Sequence, residues 1–268
     1  MLNRLRAAIL FYTVLPMPPL ANLDFRGIAF FAPGIGLIIG SMLGLVQLFL
    51  AWRLGTADNL FNSLFSAVVV VALWLGLTGG LHMDGAMDAA DGLGVTDPQR
   101  RLEVMADSRS GAYGVMAGMM ILLLKVAALS QLGNGNTLNY LSQWSLITAT
   151  VWSRWGQLAA ILAAPYLKAE GKGKFHQDTL EPWHSTVVAL LLFSLQMLAG
   201  LMLGGIDLAQ WEFKGLYLGL TSVAIGLSVS WLVGKWFGGK FGGHTGDTYG
   251  AIVEWSEALI LSALILIY

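Results

Sequence analysis

The sequence predicts an all-α, polytopic transmembrane helical bundle of about seven spans, N-terminus cytoplasmic and C-terminus periplasmic, with an N-terminal interfacial helix. Three observations carry this prediction. Of 268 residues, 56% are hydrophobic and only 12% charged, about half the charged share of a soluble domain. The charges fall in clusters, separated by apolar runs long enough to cross a bilayer, which takes about 20 helical residues. Lysine and arginine also collect on alternate sides of those runs, as the cytoplasmic bias of positive charge requires. A mean hydropathy of +0.67 counts against a soluble enzyme. The runs do not alternate apolar and polar residues, which sets aside a β-barrel.

Taken in order, Arg4 and Arg6 precede the apolar stretch Ala7–Leu15, which resembles the front of a signal peptide. No small-residue cleavage site succeeds it, only Leu15-Pro16-Met17-Pro18. Residues 5–15 therefore read as an uncleaved helix in the interface, ended by the prolines. Spans are expected at 28–52, 60–81, 112–132, 137–164, 184–206, 214–237 and 250–268, in a single membrane domain covering 1–268. Loop and terminal positive charges then fall on one side at Arg4, Arg6, Arg26, Arg100, Arg101, Arg109, Lys168, Lys172, Lys174, Lys235 and Lys240. The other side has only Arg53 and Lys214. Two positive residues lie inside spans. Lys125 is expected to snorkel toward an end, and Arg154 needs a partner within the bundle. The ten tryptophans fit interfacial belts and core filling.

Net charge is −1, too balanced for a nucleic-acid partner. The absence of cysteine excludes disulfides, thiolate metal sites and cysteine catalysis. The acidic residues are the informative ones. Six of the sixteen lie between Asp84 and Asp107, in one expected cytoplasmic loop. Asp84, Asp88 and Asp91 stand at i, i+4 and i+7, on one helical face. Like charges at that spacing repel, and a divalent cation removes the penalty. Mg²⁺ suits such a set, because it is held jointly by a few carboxylates and a substrate's phosphates. His82 beside them is open to three readings: general base, metal ligand or interfacial hydrogen-bonding residue.

Thr96-Asp97-Pro98-Gln99 reads as a capping box that starts a short helix. That helix is expected to end near Asp107-Ser108-Arg109-Ser110-Gly111, where Arg109 suits bidentate phosphate binding or serves only as a positive-inside charge. A third cluster, Gly242-Gly243-His244-Thr245-Gly246-Asp247-Thr248, precedes the last span. Glycines and hydroxyls at a helix start can cradle an anion. Asp247 and Glu254 share a face there, and carboxylates in a span's first turns are functional candidates. The charge count puts this cluster on the same side as Asp84. Asp247 and Asp84 are therefore expected to meet at one site.

These residues closely resemble the cobalamin synthase family, the adenosylcobinamide-GDP ribazoletransferases. The matching segments begin with Phe11-Tyr12-Thr13-Val14-Leu15-Pro16-Met17-Pro18 and Gly79-Gly80-Leu81-His82-Met83-Asp84-Gly85 with Asp88 and Asp91-Gly92. They continue with Met105-Ala106-Asp107-Ser108-Arg109, Gly111, Gly114, Ser153-Arg154 and Gly171-Lys172-Gly173. The set closes with Gly242-Gly243-His244-Thr245-Gly246-Asp247, Gly250-Ala251 and Glu254. Met87 and Ala106 depart from the family pattern, but every carboxylate is in place. The resemblance implies a bacterial inner-membrane enzyme whose active site faces the cytoplasm, with a homo-oligomer left open. It implies Mg²⁺-dependent transfer of the adenosylcobinamide phosphoryl group from adenosylcobinamide-GDP to α-ribazole or its 5′-phosphate, with release of GMP.

On that reading Asp84, Asp88, Asp91 and Asp247 hold Mg²⁺, and Arg109 neutralises charge on the transferring phosphoryl group. Asp107, Asp247 or His82 acts as base, while Ser108, Arg109, Arg154, His244, Thr245 and Glu254 contact substrate. Two rivals stand beside it. Another Mg²⁺-diphosphate membrane transferase, of CDP-alcohol or prenyl type, would also use aspartate clusters. Here Asp84-Gly85 is followed by Ala86-Met87-Asp88-Ala89, without the arginine of the CDP-alcohol pattern. An ion-coupled transporter would place its acids near the midplane, often in paired repeats. These acids lie at one face, and no repeat is evident.

Overall fold

The computed structural model of the protein describes residues 1–18, 23–55, 59–133, 140–168, 172–204 and 214–268. Gly171 of the glycine-lysine motif lies outside them, as do the first residues of the expected span at 137–164 and the last of that at 184–206. The chain forms α1 (Leu2–Tyr12), α2 (Ala32–Leu54), α3 (Leu60–Thr78), α4 (Leu81–Gly94), α5 (Arg101–Val104) and α6 (Ala112–Leu132). It continues with α7 (Tyr140–Ala163), α8 (Lys172–Asp178), α9 (Trp183–Gly204), α10 (Lys214–Phe241) and α11 (Gly246–Ile265). The all-α bundle predicted from composition is what forms.

Among the described residues, six helices are long and apolar enough to cross a membrane: α3, α6, α9, α10, α11, and α2 with the 3₁₀ turn before it. The expected seventh, α7, has 24 residues and the same reach, yet carries Ser145, Thr148, Thr150, Ser153, Arg154 and Gln157, all buried. It runs through the middle of the bundle, where protein surrounds it. A helix with no lipid-facing stripe has no need of continuous apolarity. Gly36, Gly40 and Gly44 of α2 let the two backbones approach: a Cβ at Gly40 would lie 2.8 Å from the Ile147 Cα. Gly36 faces Thr150 and Gly44 faces Gln143, so the two helices are antiparallel.

The crossings have a consistent sense. The Val14 amide donates to the Leu77 carbonyl at 2.9 Å, tying the segment after α1 to the end of α3. At the far end of the bundle the Tyr268 hydroxyl bonds the Leu218 carbonyl at 3.0 Å, near the start of α10. The chain thus enters at one end and leaves at the other, which an odd number of crossings requires. Helix α1 is eleven residues long, too short to span, with Ala7, Ala8 and Tyr12 buried against the bundle.

Two expectations about the segment after α3 need correction. The span written as 60–81 stops at Thr78, because Gly79 and Gly80 both adopt left-handed backbone (φ +60° and +70°). Residues 82–94, expected within a loop, lie in the packed helix α4, and the chain becomes a loop only beyond it. The helix start at Thr96–Gln99 is capped by Asp97, whose carboxylate accepts the Gln99 amide at 3.0 Å. Thr96 does not cap it.

Candidate active site

The turn at Gly79-Gly80 redirects the chain so that α4 lies along α11. Two further glycines make the close packing possible. A Cβ at Gly85 would sit 2.8 Å from the Asp247 carbonyl oxygen, and one at Gly250 would sit 2.8 Å from that of His82. This mutual close contact sets Asp84 beside Asp247, 163 positions later. Both line one cavity of about 290 Å³, together with His82, Lys168 and Tyr249. The expected meeting of the two aspartate motifs is realised.

The loop before α11 owes its shape to backbone pairing. The His244 amide donates to the Pro165 carbonyl (2.9 Å), and the Leu167 amide donates to the His244 carbonyl (2.8 Å), forming a parallel bridge. That bridge brings Lys168 to Asp247, with Nζ 3.0 Å from Oδ2. Thr245 caps α11 in a reciprocal capping box with Thr248. The His244 imidazole is buried against the Thr248 hydroxyl, and burial lowers its pKa to about 4. His244 and Thr245 thus build the loop that presents Asp247, and neither lines the cavity.

Helix α4 is continuous from Leu81 to Gly94, so the predicted stripe Asp84, Asp88, Asp91 exists. Its members differ in what they meet. Asp84 is exposed at the cavity rim. The Asp88 carboxyl is pushed up to about 6, first by partial burial and then by Asp84, Asp247 and Asp91, with Lys168 opposing. That accumulation of negative charge is what a divalent cation relieves. Among the described residues, no group of three acidic or imidazole side chains could hold an ion by itself. The donor set fits Mg²⁺ of the kind completed by waters and substrate phosphates.

Asp91 is tied to the backbone of a neighbouring helix start. It is 9% exposed, and its two oxygens accept the Gly111 and Gly114 amides, each at 2.7 Å. It caps the start of α6 from a neighbouring helix, each oxygen accepting one backbone amide. Asp91→Asn should therefore destabilise the protein by about 1 kcal/mol, as other lost helix caps do, without raising the Mg²⁺ requirement. Thermal unfolding and a Mg²⁺ titration of turnover check this; a raised Mg²⁺ requirement would return Asp91 to the metal.

Other predicted residues lie away from the cavity. Arg109 forks onto Asp107 at 2.7 Å with its side chain 87% exposed, holding that carboxyl down to about 2. Neither residue lines the cavity, nor does Ser108 between them. Lys125 does not snorkel. It is buried, bonds Glu254 at 2.6 Å and Glu257 at 2.5 Å, and lies 4.3 Å from the Trp74 ring centroid. Arg154 is fully buried and finds its partner in Glu257 at 2.7 Å. Glu254 is thus held in an intramembrane ion network. His82, 2% exposed, does line the cavity, and burial with Arg154 and Lys125 nearby keeps its imidazole neutral.

Sequence reading missed Lys168, Gln157, Tyr166 and Tyr249 in the cavity wall. Gln157 sits three residues beyond Arg154 on a helix rich in polar side chains, a usable signal. A larger open groove of about 750 Å³ runs beside Trp231, Trp236 and Trp255. Its one charged lining residue is Lys235, and no carboxylate is among its lining residues.

Residues 4–265 match the family model described as cobalamin-5-phosphate synthase. The chain is 44% identical over 267 residues to the adenosylcobinamide-GDP ribazoletransferase of Trichormus variabilis, covering 98% of this chain and 97% of that one. It is 45% identical over 261 residues to that of Synechocystis sp., covering 97% and 94%. It is 34% identical over 273 residues to that of Brevibacillus brevis, covering 98% of each. No solved structure matches the chain. The family-model match over residues 4–265 and the end-to-end similarity to these relatives lead to one assignment: the chain belongs to the cobalamin-5-phosphate synthase family of enzymes.

Proposed function

We propose that this chain catalyses Mg²⁺-dependent transfer of the adenosylcobinamide phosphoryl group from adenosylcobinamide-GDP to α-ribazole or its 5′-phosphate, releasing GMP. The observation that carries the reading is the convergence of Asp84, Asp247 and Lys168 on one cavity, with Asp88 alongside. The attacking ribosyl hydroxyl forms a bond to the phosphorus that bears the cobinamide, and the bond from that phosphorus to the GMP oxygen breaks. When bound, Mg²⁺ supplies charge neutralisation at the diphosphate and makes GMP a better leaving group.

Asp84, Asp88 and Asp247 would hold it. Lys168 is the cation at the rim, and it takes the charge-neutralising part that the sequence motif suggests for Arg109. The hydroxyl proton passes to Asp247 at the rim or to the neutral His82 imidazole, both in the cavity wall. The positive charges of the site end, from Arg100 to Lys240, support placing the cavity on the cytoplasmic face of a bacterial inner membrane.

Two experiments test this. Purified protein in nanodiscs, given adenosylcobinamide-GDP and α-ribazole, should release GMP and form adenosylcobalamin only with Mg²⁺. GMP release that persists in excess chelator would overturn the metal assignment, and release that does not depend on α-ribazole would overturn the acceptor. For orientation, reporters fused near Pro98 and Gly239 should read as cytoplasmic and one after Tyr268 as periplasmic. A cytoplasmic reading at Tyr268 would reverse the assignment.

A further inference from the structure

The cavity has a charged rim and a neutral floor. Asp84, Asp247 and Lys168 are at least partly exposed. Below them Gln157, His82 and Tyr249 are 6%, 2% and 3% exposed. The Gln157 Oε1, both ring nitrogens of His82 and the Tyr249 hydroxyl meet no hydrogen-bond partner among the described residues. Buried polar atoms are almost always satisfied, because leaving one unpaired is costly. Four on three residues of a single cavity wall point to a ligand with its own polar edge. The walls supply ring faces as well: Tyr166 stacks on Tyr249 at 6.2 Å and 27°, and Phe11 lines the cavity with them.

Aromatic faces around a floor of neutral donors and acceptors suit a planar heterocycle and do not suit a phosphate. Two such heterocycles enter the reaction proposed above, on which this inference rests. Guanine presents N–H donors together with the O6 and N7 acceptors. The dimethylbenzimidazole of α-ribazole presents methyl groups along its edge, which would leave the floor's polar atoms unpaired. We propose that the neutral floor is a base-recognition subsite for the guanine of the GDP-linked donor. Gln157 and Tyr249 read its polar edge, and the diphosphate extends toward Asp84 and Asp247 at the rim.

Isothermal titration of the nanodisc-embedded protein with GDP, ADP and pyrophosphate, each with Mg²⁺, tests this directly. GDP should bind at least about tenfold more tightly than ADP, the size expected when a site built for hydrogen bonds meets a mismatched edge. Gln157→Leu and Tyr249→Phe should each weaken GDP by about tenfold and narrow its margin over ADP. Pyrophosphate affinity should not change, which also reports an intact rim. Equal binding of GDP and ADP by the unaltered protein would overturn the subsite. So would variants that weaken α-ribazole binding and leave GDP untouched. If a variant also loses pyrophosphate binding, the GDP-to-ADP ratio of the unaltered protein decides alone. Turnover separates the reaction from the subsite. No turnover of adenosylcobinamide-GDP with α-ribazole sinks the reaction; normal turnover with equal GDP and ADP affinity sinks only the guanine subsite.

Discussion

Asp84→Asn is expected to lower turnover by at least about 100-fold, in the range seen when one electrostatic stabiliser of a transition state is removed, with the fold intact. Asp84 is exposed at the cavity rim, so an amide of nearly equal volume disturbs no packing. What it removes is one charge from the set shared with Asp88 and Asp247. Asp247→Asn should act similarly and should also raise the Mg²⁺ concentration needed for half-maximal turnover. It further releases Lys168, now 3.0 Å away. Residues that serve one bound group are not additive. The double variant should therefore lose little more than the worse single one, with coupling on the order of 1 kcal/mol or more. Steady-state rates of the three variants across a Mg²⁺ titration measure it. Multiplicative losses with unchanged Mg²⁺ dependence would mean that the two aspartates do not share a site.

That Asp84 and Asp247 meet is legible in the sequence, because two separate signals agree: a carboxylate stripe at helical spacing and a charge count placing both motifs on one side. The glycines that make the meeting possible, Gly85 and Gly250, are visible there only as motif letters. Their role depends on which backbone each faces. Asp91 shows the limit of periodicity. It shares the stripe with Asp84, yet its oxygens are taken by amides 20 and 23 residues later, and no spacing rule reveals that. Lys168 counts in the sequence only as a topological charge, since its approach to Asp247 depends on the bridge between Tyr166 and His244. For α7, the sequence shows a span with one arginine in it. That the helix is enclosed, and so tolerates many polar residues, is a property of its neighbours.

The most misjudged residue, Lys125, belongs to the group with the second large expected effect. Two cations, Lys125 and Arg154, are buried with two anions, Glu254 and Glu257, in a run of contacts of 2.5 to 2.7 Å from Glu254 through Lys125 and Glu257 to Arg154. As a set it is electrically balanced, which is what lets it exist inside the bundle. Removing any one member leaves a net charge with no water to solvate it. Lys125→Met, Glu254→Gln and Glu257→Gln should each cost about 3–5 kcal/mol, the range for breaking a buried pair from one side. Lys125→Met combined with Glu254→Gln restores balance, because Arg154 and Glu257 keep each other at 2.7 Å. The double variant should therefore be more stable than either of its parents. Unfolding in detergent, followed by tryptophan fluorescence, gives the comparison; Trp74 lies 4.3 Å from the Lys125 ammonium and reports locally. If the two single losses simply add, the four residues are not an interdependent network, and Lys125 and Glu254 contribute only packing.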